Sequence, residues 1–264
     1  MNVLLRKFVF ILLELFQVNR LFRIWNAGKI RVLLYHNIAE DRTHFKNAIS
    51  RDAFEHQLRY LSRYCNVVGL TADGKWAGLS DSKLNVLLTF DDGFENNFTE
   101  ALPLLEKYRF KACFFIIGSC VATGSPPVFT NGTAVYQTMK KEALQKLAAA
   151  GMSLGSHSQT HRDFRLLNDA EVEAEAVTSQ QTVQSITGNT SRLFAFPWGH
   201  HKIEQVDLLK RYYSKIFLVS HGLNRRDDVV LSRNEVDSSV QMFAATSGSL
   251  DFFAPRRSLR DRVK

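Results

Sequence analysis

Segments that look like buried strands alternate with segments that look like helices along nearly the whole chain. Short apolar runs predict strands, among them residues 30–36, 85–90 and 192–197. Apolar residues at helical spacing predict helices between the strands, for example at 52–64 and 168–188. This alternation is typical of a parallel α/β architecture, either an open sheet or a closed barrel. In such folds, the residues that carry out chemistry gather at the carboxyl ends of the strands.

The domain organisation follows from the absence of any break in this pattern. The alternation contains no linker and no internal repeat, and 45% of the 264 residues are hydrophobic, which is enough for one substantial core. We therefore predict a single folded domain over residues 30–240. An N-terminal helix over 1–29 would precede it, and a basic tail over 241–264 would follow it.

The N-terminal stretch MNVLLRKFVFILLELFQVNRLF predicts an amphipathic helix. Its apolar residues keep near-helical spacing, and Arg and Lys residues surround them. Glu14 interrupts the apolar run, which is too short to span a membrane, and no small-residue cleavage site follows it. We expect this helix either at a membrane surface or packed on the core of the domain, with an uncleaved signal anchor as a third alternative.

The chain is basic, with 34 Lys and Arg against 26 Asp and Glu and a net charge of +8. Much of the excess lies at the two ends, including the C-terminal stretch PRRSLRDRVK. Because basic segments favour anionic partners, we expect peripheral membrane contact through the N-terminal helix and the tail. The expected location is cytoplasmic, at the inner face of the membrane. A solvated tail is the alternative, and no nucleic acid partner is expected.

Two adjacent carboxylates follow the most apolar predicted strand, in NVLLTFDDGFEN. Asp91 and Asp92 repel each other, and the cost rises beside an apolar strand end. A surface turn is one explanation, and a metal site is the other. A cation would keep both groups ionised, so that one binds the metal while the other takes a proton from water. Gly93 would allow the sharp turn that follows.

Two histidines in SHSQTH supply the remaining ligands of such a site. His157 and His161 are four residues apart, so both can face one point from a helical turn or a tight loop. Two imidazoles with one carboxylate form a common metal-binding set. Taken alone, the pair is better explained as two loop histidines, but beside the Asp pair we favour the metal.

Three motifs in order resemble those of a known family. TFDDG at 89–93, SHSQTH at 156–161 and RLFAFPWG at 192–199 are similar to the first three motifs of the polysaccharide deacetylases, the NodB-homology enzymes of carbohydrate esterase family 4. The resemblance covers roughly residues 30–235. It implies an irregular (β/α) barrel of about seven parallel strands, here preceded by the amphipathic helix. It also implies metal-dependent removal of N- or O-acetyl groups from sugars.

The resemblance assigns roles to residues of the first two motifs. Asp91 would be the general base. The metal ligands would be Asp92, His157 and His161. The cofactor expected from the family is a divalent ion, with zinc first and cobalt, nickel, manganese or iron as alternatives.

The third motif would contribute to the substrate side of the site. Pro197, Trp198 and Gly199 match its P-[YF]-G end, and the backbone N–H of Trp198 would help to hold the tetrahedral oxyanion. The sequence departs from the family at two points. Ala195 stands where the third motif often has Arg, and no clean Leu-x-His motif supplies the general acid.

Three further residues are candidates for the missing groups. His36, in a Tyr-His pair that resembles one branch of the family, is the first candidate for the general acid, and His221 is the second. Arg233 could supply positive charge near the Asp pair, although an ordinary surface Arg is the interpretation that we favour. The expected substrate is an N-acetylated envelope or exopolysaccharide glycan or its lipid-linked precursor. The alternatives are a catalytically impaired carbohydrate-binding protein of the same fold and an amidohydrolase that acts on a non-sugar amide.

Overall fold

The computed structural model of the protein describes residues 18–40, 47–123 and 137–236, together with 242–243 and 245–246 near the C-terminus. The predicted amphipathic helix therefore lies outside the described residues over 1–17. Most of the predicted basic tail, 241–264, lies outside them as well.

Twelve strands occur in the described part of the chain. In chain order they are β1 (Ile30–Tyr35), β2 (Asn37–Ile38), β3 (Ala48–Ile49), β4 (Asn66–Val67), β5 (Gly69–Leu70), β6 (Trp76–Ala77), β7 (Asn85–Phe90), β8 (Ala112–Ile116), β9 (Ser153–Ser156), β10 (Leu193–Ala195), β11 (Lys215–Val219) and β12 (Val230–Glu235).

Seven α-helices of the described ranges alternate with these strands. They are α1 (Val18–Trp25), α2 (Arg51–Tyr64), α3 (Leu102–Lys107), α4 (Gly118–Thr123), α5 (Lys141–Ala149), α6 (Asp169–Thr187) and α7 (Ile203–Leu209). A π-helical turn, Asn97–Ala101, leads into α3, and short 3-10 turns occupy Phe164–Leu166 and Pro197–Gly199.

Seven parallel strands close into a barrel in the order β1, β7, β8, β9, β10, β11, β12, and β12 pairs with β1 again. The predicted barrel of about seven parallel strands is confirmed. The short strand β4 pairs with the first residues of β7 outside this ring. Because parallel strands share one direction, all seven carboxyl ends meet at one end of the barrel, which we call the mouth.

Alternation along each strand divides the core into two layers. One set of side chains fills the barrel and includes Val32, Leu87 and Phe115. The other set, which includes Leu33 and Phe114, packs outside the barrel against the helices. At the mouth, the apolar filling gives way to buried polar residues, so this end cannot be explained by packing alone.

Local residues mark the boundaries of two helices. Asn168 and Glu171 form a reciprocal capping box at the start of α6, and Gly188 ends the helix with φ of 75°. The π-helical turn Asn97–Ala101 runs directly into α3, and Pro103 lies in the first turn of α3.

The segment 66–70 divides between two sheets. Strand β4 belongs to the barrel sheet, and β5 pairs with β6 in a separate antiparallel ribbon. Among the described residues, no helix combines the length and the apolar character that crossing a bilayer would require.

Candidate active site

A buried ion pair fixes Asp91 at the mouth. Arg233 on β12 donates from Nη1 to Oδ1 of Asp91 at 2.6 Å and from Nη2 to Oδ2 at 2.8 Å. The guanidinium lies over the rings of Phe115 and Phe217, 5.5 and 5.9 Å from their centroids. This bidentate contact between two planar groups fixes the orientation of the carboxylate. In apolar surroundings it also stabilises the ionised form of Asp91.

The position of Arg233 corrects the interpretation favoured from the sequence. It is not a surface residue but is fully buried. Ala195, where the family often has Arg, is also buried, and its short side chain adds no charge to the barrel interior. The positive charge beside Asp91 therefore comes from the last strand rather than from the third motif.

The electrostatics of Asp91 depend on this partner. Burial alone would raise the pKa of Asp91, but Arg233, His157 and His36 oppose it, and the net pKa lies below the usual range. Asp91 is thus ionised at neutral pH and can accept a proton.

A second cluster brings together Asp92, His157 and His161. Oδ1 of Asp92 lies 3.4 Å from Nε2 of His157 and 3.3 Å from Nε2 of His161. One ligand atom from each residue falls within 4.8 Å of the others. The sequence predicted these three as ligands, and the structure brings them together.

The hydrogen bonding of His157 suits a ligand role. Its Nδ1 lies 2.8 Å from the carbonyl oxygen of Ala195, which can only accept, so Nδ1 carries the proton. Nε2 then presents a lone pair towards Asp92 and His161, which is the arrangement found around metal-bound histidines. The donor set therefore fits a divalent metal ion of the zinc type.

Without a cation, the carboxylate and the two imidazoles shift each other's protonation. Burial would raise the pKa of Asp92, but hydrogen bonds and charge interactions with His157 and His161 outweigh it and lower the pKa strongly. For His157, burial lowers the pKa, but the opposite effect of Asp91 and Asp92 is larger. The net pKa of His157 is therefore above the usual value.

Left-handed backbone conformations concentrate at this site. Five non-glycine residues have positive φ in the described structure, and four of them surround the mouth: Asp92 (70°), Ser158 (63°), His161 (59°) and Trp198 (58°). Such conformations cost free energy for residues with a Cβ and persist only where the surroundings enforce them. This clustering supports a functional site at the mouth.

The third motif forms one wall of the mouth. Trp198 is 44% exposed, and its ring centroid lies 4.8 Å from that of His161. Buried Pro197 begins the tight turn, and Gly199 follows with φ of 68°. A Cβ on Gly199 would meet the Cβ of Val219 at 2.7 Å, so only glycine fits there.

The two histidine candidates for the general acid occupy different places. His36 follows β1 directly, beside Tyr35, whose carbonyl accepts the backbone N–H of Asp91 at 3.0 Å. His221 follows β11, and its Nδ1 lies 3.4 Å from Oδ1 of Asn234. Asn234 neighbours Arg233 on β12, but strand alternation turns it to the opposite face. His36 is thus placed next to Asp91, and the contact of His221 lies on the outer side of the strand.

Comparison with known proteins identifies the family. The family model named polysaccharide deacetylase matches residues 79–215, just over half of the chain. The chain belongs to the polysaccharide deacetylase family. The expectation of a hydrolase of this class is confirmed.

Similar curated proteins agree with this membership. The deacetylase is 23% identical over 231 residues to the protein YxkH of Bacillus subtilis, and the match covers 84% of this chain and 76% of YxkH. It is 31% identical over 103 residues to the chitooligosaccharide deacetylase of a Bradyrhizobium species, a match that covers 38% of this chain and 39% of that protein.

Solved structures show the same fold. IcaB from Ammonifex degensii superposes with a TM-score of 0.70 at 23% identity, covering 84% of this chain and 98% of IcaB. The deacetylase PplD of Streptococcus pyogenes superposes with a TM-score of 0.65 at 20% identity, covering 78% of this chain and 91% of PplD.

Proposed function

We propose that this deacetylase is a metal-dependent hydrolase that removes the N-acetyl, or O-acetyl, group of a sugar. The substrate would be an envelope or exopolysaccharide glycan or its lipid-linked precursor, and residues 30–240 would form the catalytic domain. The observation that supports this most is that a candidate base and a candidate metal site lie together at the barrel mouth. An ionised carboxylate held by Arg233 lies beside an Asp, His, His cluster suited to a cation.

The metal would be held by Asp92, His157 and His161. Two imidazole nitrogens and one carboxylate oxygen leave open positions and suit zinc first, with cobalt, nickel, manganese or iron as alternatives. When bound, such an ion polarises a carbonyl oxygen and lowers the pKa of water.

Asp91 would act as the general base. Its Oδ2 lies 3.8 Å from Nε2 of His157, so a water molecule between the two clusters is within reach of the carboxylate. Arg233 occupies both oxygens from inside the barrel and would keep the carboxylate pointed at the mouth. As water attacks the acetyl carbon, its proton would pass to Asp91.

Two groups on the rim would complete the hydrolysis. The backbone N–H of Trp198 would donate to the oxygen that becomes negatively charged on attack. The bond between carbon and nitrogen then breaks, acetate leaves, and the amine takes a proton from a general acid. His36 is the favoured donor because of its place beside Asp91, and His221 is the second candidate.

Acetate release tests the proposal directly. The protein is stripped with a chelator, reloaded with zinc, and incubated with oligomers of N-acetylglucosamine. We expect acetate from the reloaded protein, none from the stripped protein, and none from a reloaded His161→Ala variant. Tight zinc binding without acetate release from any acetylated sugar would instead favour a carbohydrate-binding protein.

Membrane contact is the second part of the proposal, and the face of α1 supports it. Leu21, Ile24 and Trp25 are spaced as one helical face and are 67, 61 and 69% exposed. Exposed Arg20 lies on the same short helix. An apolar stripe with Trp and a neighbouring cation suits an anionic bilayer surface, and this would place the enzyme at the inner face of the membrane.

Vesicle sedimentation tests this contact. We expect the full chain to sediment with phosphatidylglycerol vesicles and to do so less with phosphatidylcholine. Ile24→Glu should weaken binding, whereas Leu166→Glu, which changes a solitary Leu that is 80% exposed, should not. Absence of sedimentation with either lipid would exclude membrane contact but would leave the deacetylase proposal intact.

A further inference from the structure

Helix α6 buries one carboxylate in an otherwise apolar or small-residue stripe. Its buried face includes Val172, Ala176 and Val183, and Glu175 lies among them with 8% of its surface exposed. Glu, when ionised, is rarely buried without a partner that compensates for lost hydration. The contacts of Glu175 therefore need an explanation.

Glu175 binds a single residue of the metal-site loop through both of its oxygens. The backbone N–H of Thr160 donates to Oε2 at 2.8 Å, and the Thr160 hydroxyl donates to Oε1. Thr160 lies directly before His161, one of the three clustered ligands. The Glu175 carboxylate therefore holds the metal-site loop by hydrogen bonds at the residue next to the ligand His161.

Residues with strained backbone lie on both sides of Thr160. Ser158 and His161 both have left-handed φ values, of 63° and 59°. The Ser158 hydroxyl accepts the backbone N–H of His161 at 2.9 Å within the loop. Because left-handed residues tend to relax when unsupported, the loop needs contacts from outside to hold this shape.

Helix α4 and helix α6 both supply those contacts. Ser119 N–H donates to the carbonyl of Gln159 at 2.8 Å, and Thr182 on α6 donates to the side chain of Gln159 at 3.3 Å. Over the described ranges, no Lys, Arg or His forms an ion pair with Glu175. Within those ranges, only hydrogen bonds from Thr160 compensate for the burial of this carboxylate. Burying a carboxylate costs free energy, so a contribution to stability does not by itself explain the contact.

We propose that Glu175 is a positioning residue that sets the location of His161 as a metal ligand. This inference rests on the metal site of the proposed function. Loss of the carboxylate would free Thr160, let the loop relax, and move the imidazole of His161 away from Asp92 and His157. Groups that orient metal ligands in this way change metal affinity even though they do not touch the ion.

Cobalt binding to full-length variants tests the proposal. Cobalt(II) chloride is titrated into stripped wild type, Glu175→Ala, Glu175→Gln and Ser179→Ala, with the dissociation constant and the visible absorption bands recorded. We expect Glu175→Ala to bind at least about tenfold more weakly and to show altered bands. Glu175→Gln should stay near wild type, because its amide can still accept from the N–H and donate to the hydroxyl of Thr160.

Ser179→Ala is the matched control. Ser179 lies one turn further along the same buried face, and its hydroxyl has no hydrogen-bond partner in the described structure. Its removal should leave both readouts unchanged. If Glu175→Ala lowers the melting temperature but keeps the wild-type affinity and bands, Glu175 is only structural and the proposal is wrong. If wild type binds cobalt but releases no acetate, the proposed function fails while this inference still stands.

Discussion

The two ends of the barrel both contain buried polar residues, but they satisfy them in different ways. At the amino-terminal end, Asn85 donates to the carbonyl of Ser80 at 2.9 Å and accepts the backbone N–H of Ser80 at 2.8 Å. Lys215 donates to the main-chain carbonyls of Arg226 and Asp228. At the mouth, Asp91 and Arg233 bind each other, and Asp92 faces two imidazoles.

This difference indicates that the polar residues at the amino-terminal end are structural, whereas those at the mouth form a reactive site. At the amino-terminal end, these polar side chains bind main-chain groups, which cannot change charge. Their contacts are therefore structural. The groups at the mouth are titratable side chains that face one another, held by backbone in left-handed conformations. Substitutions at the mouth should therefore affect activity first, and substitutions at the opposite end should affect stability alone.

The largest effect that would sharpen this contrast is expected at Arg233. Arg233→Met removes the main group that opposes the effect of burial on Asp91, so the pKa of this carboxyl should rise. The acid limb of the kcat/KM profile should then move to higher pH, because Asp91 must lose its proton before it can act as a base. The unpaired buried carboxylate should also cost about 3–5 kcal/mol of stability.

Arg233→Lys is the matched control, since it keeps the positive charge but not the bidentate contact with Asp91. It should fall between wild type and Arg233→Met in kcat, with an acid limb nearer to that of wild type. An Arg233→Met enzyme with an unchanged pH profile would show that Arg233 does not control Asp91.

A smaller effect, on stability only, is expected at the opposite end. Asn85→Leu leaves the N–H of Ser80 and the side chain of Asn66 without their shared acceptor. The free energy of unfolding in urea should fall by about 1–3 kcal/mol. The kcat of the folded fraction should equal that of wild type, and a clear loss of kcat would break the distinction between the two ends.

The smallest effect is expected at an exposed pair beside the mouth. Asp163, with a side chain 22% exposed, pairs with Arg165 at 2.5 Å. The hydrogen bond from Arg165 is the main cause that lowers the pKa of Asp163 to about 2. Because the folded-state pKa is depressed, the pair stabilises the protein above the unfolded pKa and loses this contribution as pH falls towards 2.

Asp163→Asn should therefore cost about 1 kcal/mol or less at pH 7, since solvent screens an exposed pair. The gap between variant and wild type should close near pH 2, as measured by urea unfolding at both pH values. A gap that persists at pH 2 would mean that the carboxylate charge is not its source.

The sequence predicts the barrel and the reacting set well, because both depend on local patterns. Alternating strands and helices predict the fold, and adjacent Asp91 and Asp92 with spaced histidines predict the cluster. The sequence offers Arg233 only as a possible source of charge near the Asp pair and favours a surface Arg, because Arg233 lies 142 residues from Asp91 and reaches it only when the last strand closes the ring. Glu175 gave one weak signal, a charged residue on the buried face of a helix.

The central claim is that Asp91 moves a proton while Asp92 and the histidines hold a metal, and Asp91→Asn tests it most directly. Zinc content and acetate release are measured on the same reloaded preparation, with Asp163→Asn as the control for loss of a nearby carboxylate. We predict one zinc per chain in both variants, with acetate release lowered by about 10²–10⁴-fold only in Asp91→Asn. Near-normal turnover by Asp91→Asn, or loss of zinc together with activity, would contradict the division of roles between the two carboxylates.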